Sequence, residues 1–159
     1  MAYQKLNTSR AWRVVPSDQA PIPNIPRTNP EDIAGTATAV STTQVTDSSG
    51  DFITRGVKNG MILTNRATGD SAIITGVQQD VLTIKGTNPI NAVGDTYAVY
   101  YGDNNGAVLY VGTGGILRVL TAGGDDVRFI GVAAGSFIPV NVVQVFATST
   151  TADDIIALW

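Results

Sequence analysis

The chain has 159 residues, of which 43% are apolar and only 14% are charged. Charged residues usually make up about a quarter of a globular protein, so this composition predicts an unusually neutral surface, as on a subunit that packs against other subunits. The sequence contains no Cys and no His. Disulfide bonds, thiolate metal sites and Cys nucleophiles are therefore excluded, and so is the commonest general base.

Charge is unevenly distributed along the chain. Residues 1–30 carry a net charge of +3, and the remaining 129 residues carry −6. A basic segment on an acidic body predicts that the segment contacts a surface other than its own body. Four scattered basic residues are not a basic block, so we expect no nucleic-acid partner. The N-terminus lacks the apolar core of a signal peptide and no run approaches a membrane span, so we expect no membrane partner either.

Residues 1–35 contain five of the seven prolines. Proline lacks a backbone donor and restricts its predecessor to extended geometry, which predicts an extended, irregular N-terminal arm. Composition alone also permits a disordered tail or linker. Apolar residues that a solvated linker does not need favour an ordered arm, and the stretch Ala11–Val15 could itself form a strand at a sheet edge. These apolar residues are Trp12, Val14, Val15, Ile22 and Ile25.

Residues 36–102 read as a small β domain. Short β-branched and aromatic runs, separated by turn residues, predict about five strands, the size of a small closed barrel or a compact sandwich. The turn Asp103–Gly106 then marks a domain boundary.

Residues 103–159 read as an antiparallel meander, because apolar runs alternate with Gly-, Asp- and Thr-rich turns. Thr113–Gly115 and Ala122–Asp125 are the predicted hairpin turns. Alternation around Arg118 and Arg128 predicts strands with one arginine face and one apolar face. The predicted fold class is all-β: an extended N-terminal arm plus two small antiparallel β units, namely an inserted β-barrel or sandwich and a C-terminal β-sandwich that residues 10–26 complete.

No residue pattern predicts catalysis. The adjacent carboxylates Asp125–Asp126 and Asp153–Asp154 would point to opposite faces of a strand, so turn chemistry is favoured over a cation site. Gly112–Gly115 lacks both the lysine and the following helix of a phosphate-binding loop. The tyrosines favour core or subunit packing over a sugar-binding platform. We therefore expect no enzyme activity, no cofactor and no metal site. The tyrosines in question are Tyr97, Tyr100, Tyr101 and Tyr110.

Several motifs near the two ends of the chain occur in a recognisable order. With them the chain resembles the spike-base and head-decoration proteins of tailed bacteriophages and of phage-like gene transfer agents. The resemblance covers about 70 residues, and residues 36–102 stand between its first motif and the others as an inserted domain. The motifs are VVPSD at residues 14–18, LYVGTGG at 109–115, GDDVRF at 124–129, AGSFIPV at 134–140, VFATSTTA at 145–152 and IALW at 156–159.

The resemblance implies a structural virion protein that is assembled in the host bacterial cytoplasm and lies on the capsid exterior. The expected function is a capsid cement or decoration subunit, a homotrimer whose arm binds the major capsid protein; the alternative is a vertex spike-base or head-fibre protein for attachment to host glycans. We expect Tyr110, Phe137 and Trp159 at the trimer interface. The residues expected to bind the capsid are Arg10, Trp12, Arg13, Ile22, Ile25 and Arg27.

Overall fold

The computed structural model describes residues 10–23 and 33–159. These residues form antiparallel strands in two sheets and contain no α-helix, which confirms the all-β prediction. The strands are β1 (Ala11–Arg13), β2 (Ile33–Thr36), β3 (Ala39–Val40), β4 (Gln44–Thr46), β5 (Ile62–Asn65), β6 (Ser71–Val77), β7 (Val81–Ile84), β8 (Thr96–Tyr100), β9 (Ala107–Thr113), β10 (Gly115–Thr121), β11 (Asp126–Val132), β12 (Ser136–Val145) and β13 (Asp153–Leu158).

The chain folds into two compact units. Of the described residues, 10–18 and Asn105–Trp159 form the terminal unit, and 19–23 and 33–104 form the middle unit. The segment predicted as one arm, residues 1–35, is thus divided between the units. Proline restricts regular structure only where it stands, and the proline-free strand β1 pairs with β13 in the terminal unit.

The middle unit is a sheet that closes on itself. Its strand order is β2-β8-β5-β6-β7-β4-β3, so β2 and β3 are the two edges. Only two residues separate these edges along the chain. Ala37 N donates to Asp95 O on one side (2.9 Å), and Thr38 N donates to Thr46 O on the other (2.7 Å). The segment from residue 33 to residue 40 therefore pairs with β8 through its first half and with β4 through its second half, and in this way it joins the two ends of the sheet into a small barrel.

The interior of the middle unit is filled by apolar side chains from nearly every strand and from the loops. One polar pair is buried among them: Tyr97 donates its hydroxyl to Asp47 Oδ2 at 2.6 Å. A hydrogen bond of this kind offsets part of the cost of burying a carboxylate. The fully buried side chains of this core include Val45, Phe52, Leu63, Ile74, Leu82 and Ile90.

The terminal unit has the strand order β1-β13-β9-β12-β10-β11. The meander prediction is wrong here, because among the described strands of the terminal unit only β10 and β11 are neighbours both in the chain and in the sheet. Strand β9 pairs instead with β12 and β13, which come later in the chain. Turn residues show where a strand ends but not which strand lies beside it.

Of the two predicted glycine turns, one closes a hairpin and the other does not, because β10 pairs with β11 whereas β9 does not pair with β10. Gly124 has a φ of +90° and closes the β10–β11 hairpin. Gly114 and Gly115 are not in the positive-φ region; they connect two strands that do not pair. A Cβ on Gly114 would lie 2.5 Å from Val132 O, and one on Gly115 would lie 2.9 Å from Ala152 N and 3.0 Å from the carbonyl carbon of Thr151. These glycines allow close approach of backbones rather than a tight turn.

Alternation sets the core of the terminal unit, as the sequence predicted around Arg118. Leu117 and Val119 are fully buried, whereas Arg118 is half-exposed on the other face of β10. The same period buries Leu109 and Val111 of β9. The other buried side chains of this unit include Val14, Ile138, Val142, Val145, Ile155 and Ala157.

Candidate functional site

The most distinctive surface of the terminal unit is an apolar face formed by β12, β9 and β13. Residues that stand directly opposite each other share a face. Phe137 pairs with Tyr110, and Tyr110 pairs with Ile156. The adjacent row contains Val108 and Leu158. We call these five residues the outer face. Their neighbours along each strand, such as Leu109 and Ile155, fill the core, so the outer face points away from it.

Side chains on the outer face contact one another but remain accessible. The rings of Tyr110 and Phe137 meet edge to face, with centroids 5.4 Å apart and an interplanar angle of 62°. Phe137 is nevertheless 54% exposed. The other members of the outer face are half-buried. Contiguous apolar side chains on a sheet surface are typical of a protein contact rather than of a solvated face.

Of the three residues predicted at a trimer interface, the structure brings together Tyr110 and Phe137. Trp159 lies elsewhere. Its N–H donates to Arg10 O at 3.1 Å and its carbonyl accepts from Arg10 N at 3.2 Å, which continues the β1–β13 ladder by one pair. Alternation along β13 places Leu158 on the outer face and therefore Trp159 on the opposite side of the sheet.

The predicted capsid-binding residues also fall into different environments. Arg13 is exposed and stands opposite Ile156. It therefore lies on the same side of the sheet as the outer face, at the end of the row formed by Phe137, Tyr110 and Ile156, and adds a positive charge there. Trp12 and Arg10 are half-buried on the opposite side of β1, where Trp12 pairs with Ala157. Their backbones are part of the sheet rather than of a free arm.

Ile22 is buried, with an exposed fraction of 3%, and its carbonyl accepts a hydrogen bond from Asn104 Nδ2 at 2.7 Å. Its side chain is therefore used inside the chain and does not offer an anchor to another protein. Ile25 and Arg27 lie outside the described residues.

The motifs that carry the resemblance contact one another within the terminal unit. The Asp18 carboxylate accepts from Thr148 N (3.0 Å) and Thr148 Oγ1 (2.6 Å), which joins the VVPSD and VFATSTTA motifs. Ser17 N donates to Val145 O at 2.9 Å beside them. The hydrogen bonds from Thr148 lower the pKa of Asp18 below its ordinary value. These motif residues hold the two ends of the chain together.

A second set of motif residues surrounds Arg118. Its guanidinium binds Asp126 through Nε–Oδ1 (3.0 Å) and Nη2–Oδ2 (2.7 Å) and lies 4.5 Å from the ring centroid of Phe146. The Thr150 hydroxyl accepts a hydrogen bond from Arg118 N, and the Thr151 hydroxyl accepts one from Ile116 N. The bidentate pair lowers the pKa of Asp126. Of the two adjacent carboxylates, Asp125 makes the turn contacts with Thr121 that the sequence favoured, whereas Asp126 lies in β11 and forms an ion pair with Arg118 across the hairpin.

The middle unit carries a separate surface feature, a shallow groove of about 550 Å³. Uncharged side chains line it throughout. Asn88 fixes its floor, because its Nδ2 donates to Ser41 O (2.7 Å) and Gln44 O (3.1 Å). The hydroxyls of Thr42 and Thr87 and the 67%-exposed Val93 stand at the groove. Sequence reasoning missed this feature, since its residues come from two distant loops.

Within residues 10–23 and 33–159, no group of three or more His, Cys, Asp or Glu side chains is arranged to hold a metal ion. The same residues contain no helix with the length and hydropathy needed to cross a bilayer.

Comparison with models of protein families, with curated proteins and with solved structures finds no match for this chain.

Proposed function

We propose that this chain is a structural virion protein, a cement or decoration subunit that binds the outside of a phage head as a homotrimer. The observation that carries the proposal is the outer face, where the Tyr110–Phe137 pair and its apolar neighbours lie accessible on a sheet. The order of motifs along the sequence supports the phage context. The low charge of the chain agrees with a subunit that buries much of its surface in an assembly.

In this proposal the outer face forms the contact between subunits. Its aromatic pair would lie at the centre, because aromatic side chains in desolvated positions dominate the energy of protein contacts. Arg13, at the end of the same row, would lie at the polar rim. Binding of the shell then gains from multivalency, since three weak contacts on one trimer engage together.

A charge placed at Phe137 tests the proposal. Phe137→Asp should fold normally, because the side chain is 54% exposed, and should abolish the trimer and binding to empty heads. Sedimentation equilibrium measures the oligomer, and co-sedimentation with DNA-free heads measures binding. The matched control is Ile53→Asp, since Ile53 is 59% exposed in the middle unit; it should change neither. A wild-type monomer that ignores empty heads, or a Phe137→Asp trimer that still binds them, would contradict the proposal.

The groove of the middle unit favours a second candidate, a vertex spike-base or head-fibre protein that attaches to host glycans. Hydroxyl and amide groups beside a small apolar patch suit an uncharged sugar, and the groove is large enough for a small ligand. Copy number separates the candidates. A quantitative gel of purified virions should show hundreds of copies for cement, on the order of tens for a vertex protein. Glycan-array binding by the purified chain would support the second candidate.

A further inference from the structure

Strand β11 is an edge of the terminal sheet. Among the described residues it pairs only with β10. Thr121 N donates to Asp125 O at 2.9 Å, and the same register continues to Leu117–Phe129. Hydrogen-bonded and non-hydrogen-bonded pairs alternate in an antiparallel ladder. The backbone groups of residues 127 and 129 therefore face β10, and those of residues 126 and 128 point away from the sheet, where they could pair with another strand. Beyond Phe129 a β-bulge interrupts this alternation.

Proteins usually protect such edges by keeping them short, by covering them, by β-bulges or by placing charges there. In β11 the bulge lies beyond Phe129 and the two charges, on Asp126 and Arg128, are of opposite sign, so neither device excludes a second copy of the same strand. Strand β11 is seven residues long and carries an apolar residue, Ile130, that is 70% exposed. On the other face, Val127 and Phe129 are only half-buried, although their partners Val119 and Leu117 on β10 are fully buried. A strand added to β11 would cover both side chains and extend the core side of the sheet.

One of the two charged side chains of β11 has no ion-pair partner among the described residues of its own chain. Arg128 stands directly opposite Arg118 on β10, an arrangement of like charges that is unfavourable. Asp126 is bound to Arg118, and Arg128 makes no ion pair with any described residue. Each β11 therefore presents a carboxylate and an unpaired guanidinium two residues apart on one face of an open edge.

We propose that β11 pairs with β11 of a second copy of this chain, antiparallel and centred on Val127. In this register Asp126 of each copy faces Arg128 of the other, and the outward backbone groups of both residues are satisfied. The other symmetric registers are less favourable. One centred on Arg128 places the two guanidinium groups face to face, and one centred on Phe129 leaves both charges opposite apolar residues.

This contact uses the same edge twice and is two-fold, so it is distinct from a trimer contact through the outer face and does not depend on the proposed function. A short strand pair is weak by itself. It becomes effective where copies are held side by side at high local concentration, and there it links neighbouring bodies.

Single-cysteine cross-linking tests the register, because the natural chain has no cysteine. In the proposed contact the two Val127 residues form a non-hydrogen-bonded pair, whose short Cα separation suits a disulfide. Full-length Val127→Cys should give a covalent dimer on a non-reducing gel after mild oxidation with diamide. In the same register, the two Phe129 positions of the pair are separated by four residues along the strands. Phe129→Cys should therefore form a disulfide no faster than Val93→Cys, which lies on an exposed loop and measures cross-linking by random collision. A denaturing gel counts only covalent dimers, whatever the oligomer in solution.

Charge reversal supplies a second arm. In the Val127→Cys background, Arg128→Glu places a carboxylate opposite Asp126 of the partner copy and should slow cross-linking roughly tenfold. This variant should keep its own fold, since the introduced carboxylate would face Arg118 across the hairpin. Arg66→Glu makes the same charge change on the exposed surface of the middle unit and should have no effect. Three results would overturn the proposal. Val127→Cys could form the covalent dimer no faster than Val93→Cys, or Phe129→Cys could form it faster than Val127→Cys. The third is a rate of cross-linking at Val127→Cys that Arg128→Glu leaves unchanged.

Discussion

The hydroxyl of Tyr97 makes a buried hydrogen bond in the interior of the middle unit. It donates to Asp47 Oδ2 at 2.6 Å, and Asp47 Oδ1 accepts from Ser49 N at 2.9 Å. Both Tyr97 and Asp47 are buried. Removing one partner of a buried hydrogen bond leaves the other with its full desolvation cost, which is larger than the net value of the bond.

We therefore expect Tyr97→Phe to lower the free energy of unfolding by about 1–3 kcal/mol, because the Asp47 carboxylate loses a donor in a buried position. Urea denaturation at neutral pH measures the change. Tyr101→Phe is the matched control; Tyr101 is 49% exposed, so the loss of its hydroxyl should cost less than about 0.5 kcal/mol. Equal effects of the two substitutions would contradict the assigned role of the Tyr97–Asp47 bond.

The same residue predicts an alkaline pH dependence. Burial, and then the hydrogen bond to Asp47, raise the pKa of Tyr97 well above its ordinary value of 10.0. The folded state thus holds this proton more tightly than the unfolded state does. The contribution to stability is fully present below pH 10 and is lost as pH rises beyond it. Stability measured between about pH 8 and pH 11 should fall more steeply for the wild type than for Tyr97→Phe; parallel curves would show that Tyr97 does not titrate in this way.

At the scale of elements, closure of the middle unit depends on one glycine in β2. A Cβ on Gly35 would collide with Asp47 Oδ2 and with the Tyr97 hydroxyl, so β2 can approach the buried pair only without a side chain. The strand that joins both edges of the sheet is thereby held against the core.

Gly35→Ala should destabilise the chain by about 1–3 kcal/mol, since the added methyl group forces either β2 or the Tyr97–Asp47 pair to move. Thermal or urea unfolding measures the loss. Gly123→Ala is the control, because a Cβ there would meet Asp125 Oδ2 at 3.4 Å on the exposed hairpin and Gly123 has no positive φ. If Gly35→Ala were as stable as Gly123→Ala, close approach at Gly35 would not be needed for closure.

At the scale of the whole molecule, the two units differ in how the chain builds them. The middle unit is continuous, whereas the terminal unit needs a segment from the beginning of the chain. That segment contributes β1, the buried Val14 and the Asp18–Thr148 hydrogen bonds to strands that follow the middle unit.

We expect the fragment 19–104 to fold by itself and the fragment 105–159 to remain unfolded until the peptide 10–18 is added. Without the peptide, β13 loses its edge partner and the core loses Val14, which is 7% exposed in the whole chain. Near-ultraviolet circular dichroism and urea titration measure folding of each fragment. The peptide with Asp18→Ala and Val14→Ser is the control and should fail to restore structure. Cooperative unfolding of 105–159 alone would contradict this division of the chain.

The parts of the fold that sequence reasoning predicted are those that local pattern controls. Alternation around Arg118 placed Leu117 and Val119 in the core, and Gly123–Gly124 formed the predicted hairpin. Glycine at Gly114–Gly115 looks the same in sequence but serves close backbone contact, because its neighbours Val132 and Thr151 come from elsewhere in the chain. The outer face depends on distant pairing in the same way, because Tyr110 and Phe137 meet only where β9 pairs with β12. Trp159 is not part of the outer face, because it follows Leu158 directly and alternation turns its side chain to the other side of the sheet.

The sequence by itself determined that this chain is all-β, where most of its strands and turns fall, and which side chains are apolar enough to be buried. Those properties follow from φ/ψ preferences and the two-residue period of a strand, which act between neighbours. Only the tertiary structure decided the order of strands, the closure of the middle unit through residues 33–40 and the assembly of the outer face from β9, β12 and β13. Strand pairing joins residues far apart in the chain, and its free energy depends on the whole packed core rather than on any local pattern.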